Sequence, residues 1–223
     1  MTALTWDKTG ERLYESGVDR GVLFPFSSSA YQTGVAWNGL TNVSEKPSGG
    51  EPKPLYADNI KYLNLMTKEE FACTIEAFTY PDAFEACNGT KDIVAGVRAG
   101  QQDREQFGFS YRSGIGSDDK GTQYGYKIHL VYGCKASPSE VTHQTEADDP
   151  DVAPLSWDVT TTPVACKGLK PTSHIIIDST KVDPDKLATF ETKLYGGPEA
   201  EPTLPMPDEL AALLGPGVSH LGA

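Results

Sequence analysis

Tyr124-Gly125-Tyr126-Lys127-Ile128-His129-Leu130-Val131-Tyr132-Gly133-Cys134 decides the fold class. Tyr124, Tyr126, Ile128, Leu130 and Tyr132 alternate with Gly125, Lys127, His129 and Val131. A period of two is what a sheet with one buried face imposes, and it excludes a helix here. Three further stretches follow the same rule. In Phe71–Thr79, Phe71, Cys73, Ile75 and Ala77 oppose Ala72, Thr74, Glu76 and Phe78; in Phe107–Ser113, Phe107, Phe109 and Tyr111 oppose Gly108, Ser110 and Arg112. In Leu155–Thr161, Leu155, Trp157 and Val159 oppose Ser156, Asp158 and Thr160.

Shorter runs add strands at Gly21–Phe26, with Pro25 at an edge or bulge, at Val35–Val43 and at Ile60–Met66. Ser173–Asp178, with three isoleucines, suits a strand buried on both faces. Residues 1–20 lack periodicity and read as an extended N-terminal arm. Residues 44–54 hold three prolines, two glycines and four charges, which a core cannot accept, so they read as a projecting loop. Two helices close the chain. Asp183 caps the first, Pro184 opens it, Leu187, Phe190 and Leu194 share a face, and Gly196-Gly197 ends it. The second is short, Pro207 to Leu214, and residues 215–223 form a loose tail. The expected class is a β-rich α+β fold of sandwich or barrel type, in one domain over residues 1–223.

The 31 acidic against 19 basic residues leave a net charge of -12, which argues against a phosphate-gripping surface. No apolar run approaches the roughly 20 residues that span a bilayer. The first seven residues lack a basic end or an apolar stretch, so no signal peptide is expected. The four cysteines (Cys73, Cys87, Cys134 and Cys166) have no zinc-type spacing, and in a chain without export they are expected to be free thiols.

Gly114, Gly116 and Gly121 follow a strand, but no helix follows them, so a hairpin loop carrying Asp118 and Asp119 explains them better than a nucleotide loop. The run Glu146, Asp148, Asp149 and Asp151 lacks the glycine and distal glutamate of a calcium loop and reads as a solvated loop. His129, His143, His174 and His220 are scattered, and each reads as a structural or surface residue. No nucleophile elbow and no zinc-protease motif occurs, so neither a catalytic set nor a metal or cofactor is expected. Ten tyrosines leave a sandwich-type ligand- or carbohydrate-binding module as the alternative, although those that can be placed fall on apolar strand faces.

Several stretches resemble the major tail proteins that build the tail tube of long, non-contractile-tailed bacteriophages (the siphovirus type). They are Trp6 to Val18, Ala36-Trp37-Asn38-Gly39-Leu40-Thr41, Tyr56 to Tyr62, Thr74 to Pro81, Thr161-Thr162-Pro163-Val164 and Leu194-Tyr195-Gly196. The resemblance implies a tail-tube domain with a packed outer helix, assembled into stacked homohexameric rings. It also implies a template in a tape-measure protein, a terminator at one end and baseplate or distal tail proteins at the other. Such a subunit is made in the host bacterial cytoplasm, resides in the virion and conducts DNA as transient cargo without specific binding. Each subunit would give about four strands to a common barrel; about twenty-four strands at about 4.8 Å, tilted near 45°, close at roughly 50 Å between backbones.

Under that resemblance, the four alternating strands are expected to form the inner sheet, apolar faces toward the core beneath the Pro184–Tyr195 helix. Thr74, Glu76, Ser110, Lys127, Ser156, Asp158 and Thr160 are then expected to line the lumen. Glu45, Lys46, Glu51 and Lys53 of the projecting loop are expected to pair with charges on the next ring.

Overall fold

The computed structural model describes residues 3–143, 145 and 152–215; the acidic run 146–151 and the tail from residue 216 lie outside them. The strands are β1 (Leu13–Ser27), β2 (Ala30–Tyr31), β3 (Val35–Trp37), β4 (Leu40–Glu45), β5 (Pro52–Ala57), β6 (Ile60–Met66) and β7 (Ala72–Ala77). A 3-10 turn (Asp82–Phe84) runs into α1 (Glu85–Asn88), and the exposed hairpin of β8 (Lys91–Val94) and β9 (Val97–Ala99) follows. Then come β10 (Phe107–Ser117), β11 (Gly121–Ala136), β12 (Leu155–Thr161), β13 (His174–Asp178), α2 (Pro184–Tyr195) and α3 (Pro207–Leu214). The chain is β-rich with few helices.

Nine strands form one sheet in the order β2-β1-β10-β11-β12-β7-β4, with β13 also on β11 and β3 also on β1. The pairings are antiparallel throughout. Gly133 is the switch in this sheet. Before it, Lys127–Val131 pairs with β13; after it, Cys134–Ala136 pairs with β12. The register against β10 slips at the same place, between Phe107↔Cys134 and Phe109↔Val131. Gly133 has φ +63°, and a Cβ there would stand 2.2 Å from the Thr162 carbonyl oxygen, so only glycine allows the bulge.

Both faces of the β1–β10–β11 half are buried. One face, with β7 and β12, encloses Leu23, Trp37, Cys73, Ile75, Phe107, Phe109, Tyr111, Val131, Trp157 and Val159, sealed by Phe84 and Cys87 around α1. The opposite face carries Val22, Phe24, Ile128, Leu130, Tyr132 and Ile177 beneath Leu187, Phe190 and Leu194 of α2 and Leu210 of α3. The expectation that all four apolar faces lie beneath α2 is therefore corrected. Only β11 presents its Ile128–Leu130–Tyr132 stripe there, because the bulge lets one long strand serve both cores.

Other boundaries also shift. Leu13–Arg20, expected in the arm, belongs to β1 and pairs with β10 through two register shifts, one at Gly17 and one at Arg20-Gly21. The Val35–Val43 strand is broken by a turn at Asn38-Gly39 (Gly39 φ +74°) into β3 and β4. β13 is not buried on both faces: Ile177 is buried but Ile176 is exposed. Both C-terminal helices keep their expected bounds. Asp183 caps α2, its Oδ1 accepting from the backbone N–H of Asp185 (3.1 Å) and Lys186 (3.2 Å).

Candidate assembly interface

The segment 44–54, expected as a loop, instead ends β4 and opens β5, and the strand expected at Ile60–Met66 is β6; β5 and β6 together form one projecting β-hairpin. β5 and β6 pair only with each other in a two-stranded sheet, and every residue of both strands is exposed. Asp58 (φ 49°) and Asn59 (φ 62°) supply the two left-handed residues that a tight hairpin turn requires. The root is fastened to the body by the bridge between Ser48 and Glu70, N–H to carbonyl at 2.9 and 2.8 Å. Leu55 faces Leu63 across the ladder, while Tyr56, Ile60, Tyr62 and Met66 are about two-thirds exposed or more. A two-stranded ribbon is marginal alone, and this much uncovered apolar surface marks an interaction site.

The four charged residues of the arm divide into two kinds. Glu45 ends β4 and accepts a hydrogen bond from the Tyr111 hydroxyl at 2.6 Å; Lys46 Nζ lies 3.2 Å from Asp158 Oδ1. Both are engaged within their own chain. Glu51 at the root and Lys53 on β5 remain exposed. The charges of the arm are legible in the sequence and its exposed apolar residues are not, because Ile60–Met66 reads simply as a strand, with no sign of whether it is covered. The Asp58-Asn59 pair between two β-prone runs was the available signal.

Beside the hairpin root lies the outer face of β12, β7 and β4, where Asp158 and Thr160 are exposed, Glu76 and Ser156 are half-buried and Thr74, expected to face the lumen, is buried. Ser156, Asp158 and Thr160 of β12 stand next to Thr74 and Glu76 of β7, through the pairs Ser156↔Glu76 and Asp158↔Thr74. Asn42 and Ser44 of β4 continue the row. These groups bind one another: the Thr74 hydroxyl donates to Asp158 at 2.6 Å and the Asn42 amide to Glu76 at 3.2 Å. The Thr74 bond, helped by Lys46, holds the Asp158 carboxyl below its usual pKa. Ser110 and Lys127 are not on this surface. Ser110 is wholly buried between Val22 and Leu130, its ladder partners, beneath the helices, and this corrects its expected lumen placement. Lys127 lies on the other side of the sheet, ion-paired with Glu15 of β1.

The sheet curls until β4 returns toward β1, with Gly21 of β1 against Leu40 of β4. The unpaired seam between them opens as a cavity of about 270 Å³ lined by Glu15, Val18, Val43, Glu45, Ser113 and His129 among others. At its floor, His129 Nδ1 lies 3.1 Å from His174 Nε2 and 3.2 Å from Glu45 Oε1. His174 Nε2 to Glu45 Oε1 is 3.8 Å. Burial, with the neighbouring His174, lowers the His129 pKa to about 4; burial also lowers that of His174. No spacing in the sequence announces this cluster. It exists because Tyr111 pairs with His129 across β10–β11, and Val131 with His174 across β11–β13.

A second cleft of about 510 Å³ lies between β1, the β10–β11 turn end and α2. Its charged groups are paired: Arg112 bonds Asp19 at 2.6 Å and covers the Tyr126 ring, whose hydroxyl donates to Glu191 at 2.7 Å. All four cysteines are free thiols, and burial pushes those of Cys73 and Cys87 up to about 12. No helix among the described residues is long and apolar enough to cross a membrane. No protein-family model matches the chain, and no curated protein matches it by sequence.

Proposed function

We propose that the chain is a non-catalytic virion structural protein, the repeating subunit of a phage tail tube built from stacked hexameric rings. The observation that carries this reading is the β5–β6 hairpin: seven large apolar side chains held in solvent by a defined turn and a fastened root. A neighbouring copy is the cover this reading supplies. Glu51 and Lys53 lie on it as flanking charges, whereas Glu45 and Lys46 anchor its base.

Two further features fit. The open edge of β4 and the edge of β1 at Leu13–Arg20 that faces away from β10 offer strand edges through which adjacent subunits can join a ring. The outer face of β12, β7 and β4 would line the lumen with Glu76, Ser156, Asp158 and Thr160, while buried Thr74 supports Asp158 through its hydroxyl. Hydroxyls, amides and acids bound to one another give DNA no cluster of cations to displace its counterions, so cargo slides. Made in the bacterial cytoplasm, the subunit would assemble on a tape-measure protein between terminator and baseplate.

The test is assembly itself. The purified chain is concentrated and imaged by negative stain, alongside a variant in which residues 51–67 are replaced by a two-glycine linker. Rings and tubes from the native chain, with unstacked subunits or single rings from the variant, are the expected result. A native chain that stays monomeric and is retained by glycans would overturn the reading in favour of a sandwich-type binding module.

A further inference from the structure

We propose that Glu45, His129 and His174 form a binding site for one divalent transition-metal ion of the zinc type, clamping the root of the hairpin arm to the body of the sheet. The three candidate donor atoms are separated by 3.1, 3.2 and 3.8 Å. In a tetrahedral site with bonds of about 2.0–2.2 Å, ligand atoms lie about 3.4 Å apart. The three therefore already outline one face of such a tetrahedron. Two imidazoles and a carboxylate are also the donor chemistry that zinc and its neighbours prefer over calcium or magnesium.

The surroundings hold the donors in place. His129 Nε2 lies 3.0 Å from Ser113 Oγ. With that nitrogen protonated and donating to the serine, the Nδ1 lone pair is left facing His174 and Glu45, the arrangement by which outer groups orient ligating histidines. Tyr111 donates to the Glu45 oxygen and stacks on His129, ring centroids 4.4 Å apart and planes within 6°. Phe71 stacks on His174 at 4.3 Å. Each ring is thus fixed in plane by an aromatic neighbour. Without an ion, the two facing ring nitrogens must share one proton between them, and a metal replaces that proton. The seam cavity opens onto Glu45 and His129, which gives the ion an entry path and a water a fourth position.

The consequence is mechanical. Glu45 is the last residue of β4, directly before the arm, whereas His129 and His174 sit on β11 and β13 across the unpaired seam. A bound ion would cross-link β4 to the β11–β13 pair, with which β4 shares no backbone ladder, and set the angle at which the hairpin leaves. This inference stands without the assembly reading, because its readout is metal binding by the single chain.

The chain, stripped with chelator, is titrated with Co²⁺ and followed by visible absorption, and with Zn²⁺ followed by calorimetry and thermal unfolding. One equivalent per chain, tetrahedral cobalt bands and a Zn²⁺-dependent rise in Tm are expected. His174→Gln should abolish all three at concentrations that saturate the native chain. Ser113→Ala should weaken binding about tenfold or more. Glu45→Gln, at the exposed end of β4, tests the same site should His174→Gln fail to fold. No binding by the native chain would overturn the proposal. So would an ion retained undiminished in the folded Glu45→Gln or His174→Gln variant, since the metal would then sit elsewhere, for instance on Cys166.

Discussion

Phe84 shows how much of this fold rests on single aromatic rings. It comes from the short turn before α1, yet its ring lies 4.6 Å from that of Trp37 and 5.4 Å from those of Phe107 and Trp157. Truncation removes the lid of the inner core and leaves a cavity that strands on three sides cannot collapse to fill. Phe84→Ala is expected to cost about 3–5 kcal/mol in urea unfolding. Asp19 works differently. The hydrogen bond from Arg112 holds its carboxyl below the ordinary 3.8, against an opposing push from partial burial. A depressed carboxylate stabilises the fold above its unfolded pKa and loses that contribution as pH falls through the folded value. Asp19→Asn should therefore lower the urea midpoint slightly at pH 7, by no more than about 1 kcal/mol for so exposed a pair. The difference should shrink as pH falls below the ordinary 3.8 and through the lowered folded value; a difference that does not change with pH would show that the carboxylate's charge is not what matters.

At the scale of elements, local signals were legible and distant pairings were not. The cap at Asp183 and the helix-opening prolines Pro184 and Pro207 act on adjacent residues, so α2 and α3 stand where their sequences place them. Alternation likewise marks β7, β10, β11 and β12. It does not say which face meets which layer, because the bulge at Gly133 lets β11 change partners partway along. Nor could it tell an exposed strand from a buried one: Ile60–Met66 is apolar enough for a core and projects into solvent. The Glu45, His129 and His174 cluster was invisible for the same reason, being made by register across four strands. The hairpin gives the element-scale expectation. None of its strand residues contributes to either core. Replacing residues 51–67 should leave the Tm of the isolated chain within a few degrees of the native value, as measured by circular dichroism. A collapse of the fold would show that the arm packs on its own body.

Across the whole molecule, two surfaces pull assembly in opposite directions. Each copy carries a net charge of -12, so stacking rings brings like charges together. The hairpin offers apolar contact, which is indifferent to salt at these concentrations or slightly strengthened by it. The screening length falls from about 30 Å at 0.01 M to about 10 Å at 0.1 M ionic strength. If the apolar hairpin drives stacking, added salt removes the repulsion and keeps the attraction. Tube yield, measured by sedimentation and counted in negative stain, should then be low near 0.01 M and rise steadily to about 0.3 M. Were stacking instead held by ion pairs from Glu51 and Lys53 to the next ring, the same salt would dissolve the tubes. Double replacement by Gln of those two residues separates the cases further. It should leave tubes intact if Tyr56, Ile60, Tyr62 and Met66 are the contact, whereas Tyr56→Ser with Tyr62→Ser should abolish stacking at every salt concentration.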